Sequence, residues 1–158
     1  MRIPVVELSL LAVAGGVLVA ALPRCGAGPH VRIVRASWSL TPGVLNPAVT
    51  QASIRDTICV PGWTGTVRPP VSYTNDLKQR QMRAYGLHGA LSSYQEDHLI
   101  SLELGGHPTD PRNLWPEPYP RAAAVDAIEN ELNRKVCSGE LTLAEAQRHE
   151  SALKHADG

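Results

Sequence analysis

Phenylalanine is missing from the 158 residues and aromatic side chains make up only 4% of them, so any core must be filled by Leu, Val, Ile and Ala. Net charge is absent too. Fifteen Lys and Arg balance fifteen Asp and Glu, which tells against a protein that coats nucleic acid by bulk electrostatics. Only three cysteines are present, and they form no CxxC pair or nearby Cys/His spacing of the kind a structural zinc site uses. The longest apolar run, residues 8–22, has fifteen residues, short of the roughly 20 a spanning helix needs. No internal repeat or low-complexity block occurs.

What is present is turn chemistry, an uneven charge distribution and one dense cluster of polar residues. Thirteen Pro and thirteen Gly predict many turns and an irregular first half. With Arg2 ahead of it, the apolar run suits the hydrophobic region of a secretory signal. Residues 1–27 are therefore read as a signal peptide, with an uncleaved membrane anchor as the alternative, and the mature protein as periplasmic or secreted. Small residues at Val19-Ala20-Ala21 and at Cys25-Gly26-Ala27 both offer cleavage points. If Cys25 leaves with the leader, Cys59 and Cys137 remain as an even pair in an oxidising compartment, and a disulfide between them is expected. Two buried thiols are the alternative. Residues 26–96 carry Arg32, Arg35, Arg55, Arg68, Lys78, Arg80 and Arg83 against Asp56, Asp76 and Glu96, whereas the stretch after them is acidic.

Short strands are expected at residues 31–34, at Val67 and at 56–60. A helix capped by Thr74 is expected over 75–85, a strand over 94–100, a turn from Gly105-Gly106 to Asp110-Pro111, and an extended run from Asn113 to Trp115. Pro116, Pro118 and Pro120 delay the main helix to 121–136. Thr142 caps a last helix through Ala152, and residues 154–158 are expected to fray. The main domain is placed at 31–153 and the fold class is α+β.

The cluster is Asp97-His98, then Gly105-Gly106, then Asn113-Leu114-Trp115, followed by a helix with Asp126 and Glu129 in its first turns. A carboxylate and an imidazole side by side can divide one task, the acid holding a divalent cation while the histidine takes a proton from water. Metal-assisted phosphodiester cleavage needs that division. Adjacent strand residues point to opposite faces, so both can address one phosphate only where the strand is distorted or ends.

Asp97-His98-Leu99, Leu102-Glu103-Leu104-Gly105-Gly106 and Asn113-Leu114-Trp115-Pro116 resemble the HNH, or His-Me finger, endonuclease superfamily. In particular they resemble small exported bacterial HNH-type proteins with a DHL-x-x-LELGG…NLWP signature. The likeness extends over residues 41–147, through Thr57-Ile58-Cys59, Gly62-Trp63, Arg68-Pro69, Leu141-Thr142-Leu143 and Ala146-Gln147. It implies a small ββα-metal core with an irregular N-terminal half and flanking helices. His98 would be the general base, Asp97 a metal ligand, and Asn113 the residue that fixes the loop and orients His98 by hydrogen bonding. The helix position that holds His or Asn in the family offers Asp126 here, with Glu129 or Asn130 as substitutes. The implied cofactor is a divalent metal, Mg²⁺ first and Mn²⁺ or Zn²⁺ as alternatives; oxygen ligands suit Mg²⁺. The implied partner is nucleic acid, DNA before RNA, with Arg112, Arg121 or Arg83 clamping a phosphate and no membrane partner beyond the leader. A non-catalytic module binding nucleic acid or a partner on the same scaffold is the competing reading. An inhibitor partner is not specified by the sequence.

Overall fold

The computed structural model describes residues 33–158, so the leader reading of residues 1–27 lies outside the described residues. Helices α1 (Trp63–Val67), α2 (Val71–Ala84), α3 (Tyr119–Ser138) and α4 (Leu143–Ala156) accompany one antiparallel pair of strands, β1 (Tyr94–His98) and β2 (Leu114–Pro118). The class is mixed α+β. No described helix is long and apolar enough to cross a membrane.

The hairpin register sets Asp97 opposite Trp115 and His98 opposite Leu114. Pro116 and Pro118 are alternate residues of β2, and in a two-stranded sheet each strand has a free edge that tolerates missing N–H groups. The connection between the strands is held tightly at the glycine pair. Gly105 adopts φ 75°, a left-handed conformation, and a Cβ on Gly106 would lie 1.7 Å from the Ile100 carbonyl oxygen. Only glycine fits there.

Helix ends follow local chemistry. Helix α3 starts at Tyr119 rather than 121, because Pro120 falls in the first turn where no N–H partner is needed. Gly139, at φ 84°, closes it. Helix α2 begins at Val71 after Pro70, and Thr74 lies inside it, its hydroxyl donating to the Val71 carbonyl. Thr142 and Glu145 form a reciprocal capping box at the start of α4, as expected. That helix runs on to Ala156, and Lys154 is fully buried, which corrects the frayed tail. The strands expected at 56–60 and Val67 are instead a 3₁₀ turn with following turns and the end of α1. Residues 33 and 34 form no strand.

Two apolar clusters flank the hairpin connection. Ile100 and Leu104 join Leu132 and Val136 of α3 and Ala146 of α4 in one. Leu99 joins Trp115, Tyr94 and Met82 in the other. Cys59 and Cys137 form the disulfide, 78 residues apart in sequence. Closing a loop of that size restricts the unfolded chain by about 4.5 kcal/mol in the chain-entropy account. It ties the turn-rich first half to the end of α3, beside the loop that carries the polar cluster.

Candidate active site

Strand β1 stops at His98, and there the alternation of side chains is released. Asp97 and His98 both wall one cavity of about 280 Å³, together with Glu103, Asp126, Glu129 and Asn130. Three residues singled out from the sequence, Asp97, His98 and Asp126, are thus brought to one place. The hairpin delivers the first two and α3 the third.

His98 is 6% exposed, and its Nε2 lies 3.0 Å from the Pro108 carbonyl oxygen. A carbonyl only accepts, so Nε2 carries the proton and Nδ1 keeps its lone pair. Burial pushes the imidazole pKa below its usual 6.5, against the Pro108 contact, so the ring is neutral at pH 7.

Asn113, fully buried, acts one step further back. Its Oδ1 accepts from the Ile100 N–H at 3.0 Å and its Nδ2 donates to the carbonyls of Ile100 at 3.0 Å and His107 at 3.1 Å. The side chain therefore joins both ends of the loop that carries Pro108, and makes no direct hydrogen bond to His98. The expected contact is corrected: the imidazole bonds to the Pro108 carbonyl, and Asn113 bonds to the backbone of Ile100 and His107 in the same loop. His107 belongs to the same turn, its Nδ1 accepting from the N–H groups of Thr109 and Asp110.

Behind Asp97 sits a residue whose part was not legible. Lys154 Nζ donates to Asp97 Oδ2 at 2.9 Å, Glu129 Oε1 at 2.6 Å and the His98 carbonyl at 2.5 Å, and lies 3.4 Å from Glu150 Oε1. Burial opposes charge on this ammonium, but the three carboxylates outweigh it and hold Lys154 well above its usual 10.5. Burial likewise works to raise the Asp97 carboxyl, and Lys154 overcomes it, so Asp97 titrates below 3.8 and stays ionised. Glu129, nearly as buried, is held well above the usual carboxylate range by burial, with Asp97 and Glu150 adding to the shift. The only sequence signal for Lys154 was its spacing of four from Glu150, the pattern of an ordinary surface pair.

The arginines expected as clamps lie elsewhere. Arg112 forms a bidentate pair with Asp110, and Arg121 Nε donates to the Gly158 carbonyl at 2.5 Å. Neither lines the cavity, nor does Arg83. Arg68 does. It takes part in none of the ion pairs among the described residues, yet its charge acts on His98, Glu103 and Asp126. As one exposed arginine among several, it carried no distinguishing mark beyond the Arg68-Pro69 pair.

Among the described residues no three His, Cys, Asp or Glu side chains are preassembled around one cation position. The donors nonetheless suit a hard cation held loosely. Asp126 is raised above its usual range by burial and by the Asp97 charge, and Glu103 by burial and by the Asp126 charge. Carboxylates that repel one another at a cavity wall gain from a dication. Mg²⁺ commonly takes one or two carboxylates and fills its shell with water and substrate phosphate. A Zn²⁺ site of Cys and His ligands has no counterpart among the described residues.

Comparison with protein-family models, curated proteins and solved structures finds no match for this chain.

Proposed function

We propose that this protein is a metal-assisted endonuclease that hydrolyses phosphodiester bonds in nucleic acid, with His98 as general base on a ββα-metal core. One observation carries the reading: the imidazole has its Nε2 proton committed to the Pro108 carbonyl, leaving Nδ1 free at an acid-walled cavity. In the reaction, His98 Nδ1 takes a proton from water as the oxygen attacks phosphorus. Asp97 and Asp126 are the residues to hold Mg²⁺. When bound there, the ion supplies stabilisation of negative charge on the phosphoryl oxygens and the departing 3′-oxygen. Asn113 and Pro108 hold the imidazole at the angle the attack needs, and Lys154 keeps Asp97 ionised and fixed through one oxygen. The other Asp97 oxygen accepts from the Gln95 amide at 3.2 Å. The order strand, loop, strand, helix agrees with a ββα unit, and the disulfide suits an exported protein in an oxidising compartment.

The Lys154–Asp97 ion pair favours a second reading, in which the scaffold binds nucleic acid or a partner without cutting it. Nicking of supercoiled plasmid separates the two. The nuclease reading expects nicking with Mg²⁺ or Mn²⁺, none in EDTA, and loss of activity in His98→Ala. Nicking that survives both EDTA and His98→Ala sinks the assignment, and absence of nicking with every metal favours the binding module.

A further inference from the structure

A second cavity of about 280 Å³ also borders His98. Arg68, Gln95, Asp97 and His98 wall both, so the two spaces share the wall that presents the imidazole. Their charge differs. Glu103, Asp126 and Glu129 line only the first; Lys78 and Glu96 line only the second, with Thr74 and Asn75 from the first turns of α2, and Arg68 and Asp97 line both.

Lys78 is 7% exposed and its Nζ donates to the Tyr94 carbonyl at 2.8 Å, which fixes the ammonium and uses one of its three donors. Arg68 is exposed, with no carboxylate paired to it among the described residues. Tyr119, at the start of α3, lines the same cavity with 49% of its surface exposed. Sites for single-stranded nucleic acid combine cations that follow the backbone with an aromatic ring on which a base stacks.

We propose that this cavity is a phosphate subsite, in which Arg68 and Lys78 hold a phosphodiester next to the one presented to His98 while Tyr119 stacks a base of the same strand. The role of the neighbouring bond rests on the nuclease reading; the binding itself does not. A strand drawn across His98 in this way has one phosphate anchored by Arg68 and Lys78 and its scissile bond beside Asp97 and Asp126.

The test reads binding without cleavage. Full-length His98→Ala protein is titrated in EDTA against a fluorescein-labelled single-stranded oligodeoxynucleotide, and anisotropy is followed at several salt concentrations. Adding Arg68→Ala is expected to weaken binding about tenfold, the loss of one charge-assisted contact, and to flatten the log affinity against log salt slope by about 0.7. Asn75→Asp, an exposed change of nearly equal size, is expected to weaken binding as well, whereas Arg55→Ala leaves it unchanged. Unaltered affinity and slope in both Arg68→Ala and Asn75→Asp overturn the subsite, as does failure of the parent to bind at all. A protein that binds in this pattern but never nicks plasmid keeps the subsite and loses the nuclease reading.

Discussion

The two carboxyl oxygens of Glu96 are buried with no hydrogen-bond partner, and burial pushes the group up to about 8, with Lys78 pulling the other way. Glu117, fully buried in β2, is likewise raised to about 8 by burial and by the Asp97 charge. Both folded values lie above the unfolded 4.5, so the folded state binds protons more tightly in this range. The stability that goes with this is fully present below 4.5 and is lost as pH rises towards about 8. Asp97 has the opposite sign, since its folded value lies below 3.8 and its contribution fades only in acid. Glu96→Gln keeps the shape and removes one titrating group. Thermal melts across this window are expected to show the wild-type Tm falling with rising pH and a clearly smaller fall in the variant, which is the more stable above about 8. Identical slopes would mean that Glu96 is ionised and solvated in the folded protein.

At the level of elements, the site depends on the last helix as much as on the hairpin. Helix α4 ends in the lysine that joins β1 to α3, and a buried cation with three carboxylate neighbours is costly to remove from one side only. Lys154→Met leaves Asp97, Glu129 and Glu150 uncompensated, and a loss of about 3–5 kcal/mol is expected in chemical denaturation. Adding Glu150→Leu removes one of the stranded charges and is expected to recover part of the loss. A single variant as stable as the wild type would show that the ammonium does not sit among these acids. This is also where legibility divides. The hairpin, its Gly-Gly turn and the Cys59–Cys137 bond were readable because local chemistry dictates the residue type: a positive φ at Gly105, a close backbone approach at Gly106, an even cysteine pair; the hold of Asn113 on the loop was legible only through the family resemblance. Lys154 and Arg68 were not. Their roles come from partners brought near by folding, Asp97 being 57 residues from Lys154, and neither periodicity nor spacing reports such pairs. The strands expected in the first half failed for a related reason. Val60 and Val67 have β-favouring side chains, but no described strand lies there for them to pair with, and turns and a short helix form instead.

Across the whole molecule, equal numbers of acidic and basic side chains leave no bulk attraction for a polyanion, so the proposed recognition of nucleic acid has to be local. In the proposed reading the two cavities that meet at His98 give that locality: Glu103, Asp126 and Glu129 line only one, Lys78 and Glu96 only the other, and Arg68 and Asp97 both. The surrounding frame keeps them in register: two apolar clusters grip the hairpin connection, and the disulfide ties the turn-rich half to α3. What that frame is proposed to serve is a neutral imidazole with one free nitrogen. The pH dependence of Mg²⁺-dependent plasmid nicking, with and without His98→Ala, tests this most directly. The account predicts a rate that climbs with loss of one proton, with its midpoint below 6.5, and is flat through neutrality. It also predicts that His98→Ala lowers the plateau by about 10²–10⁴-fold and abolishes that limb. A variant that nicks at the wild-type rate with the same acid limb would contradict it.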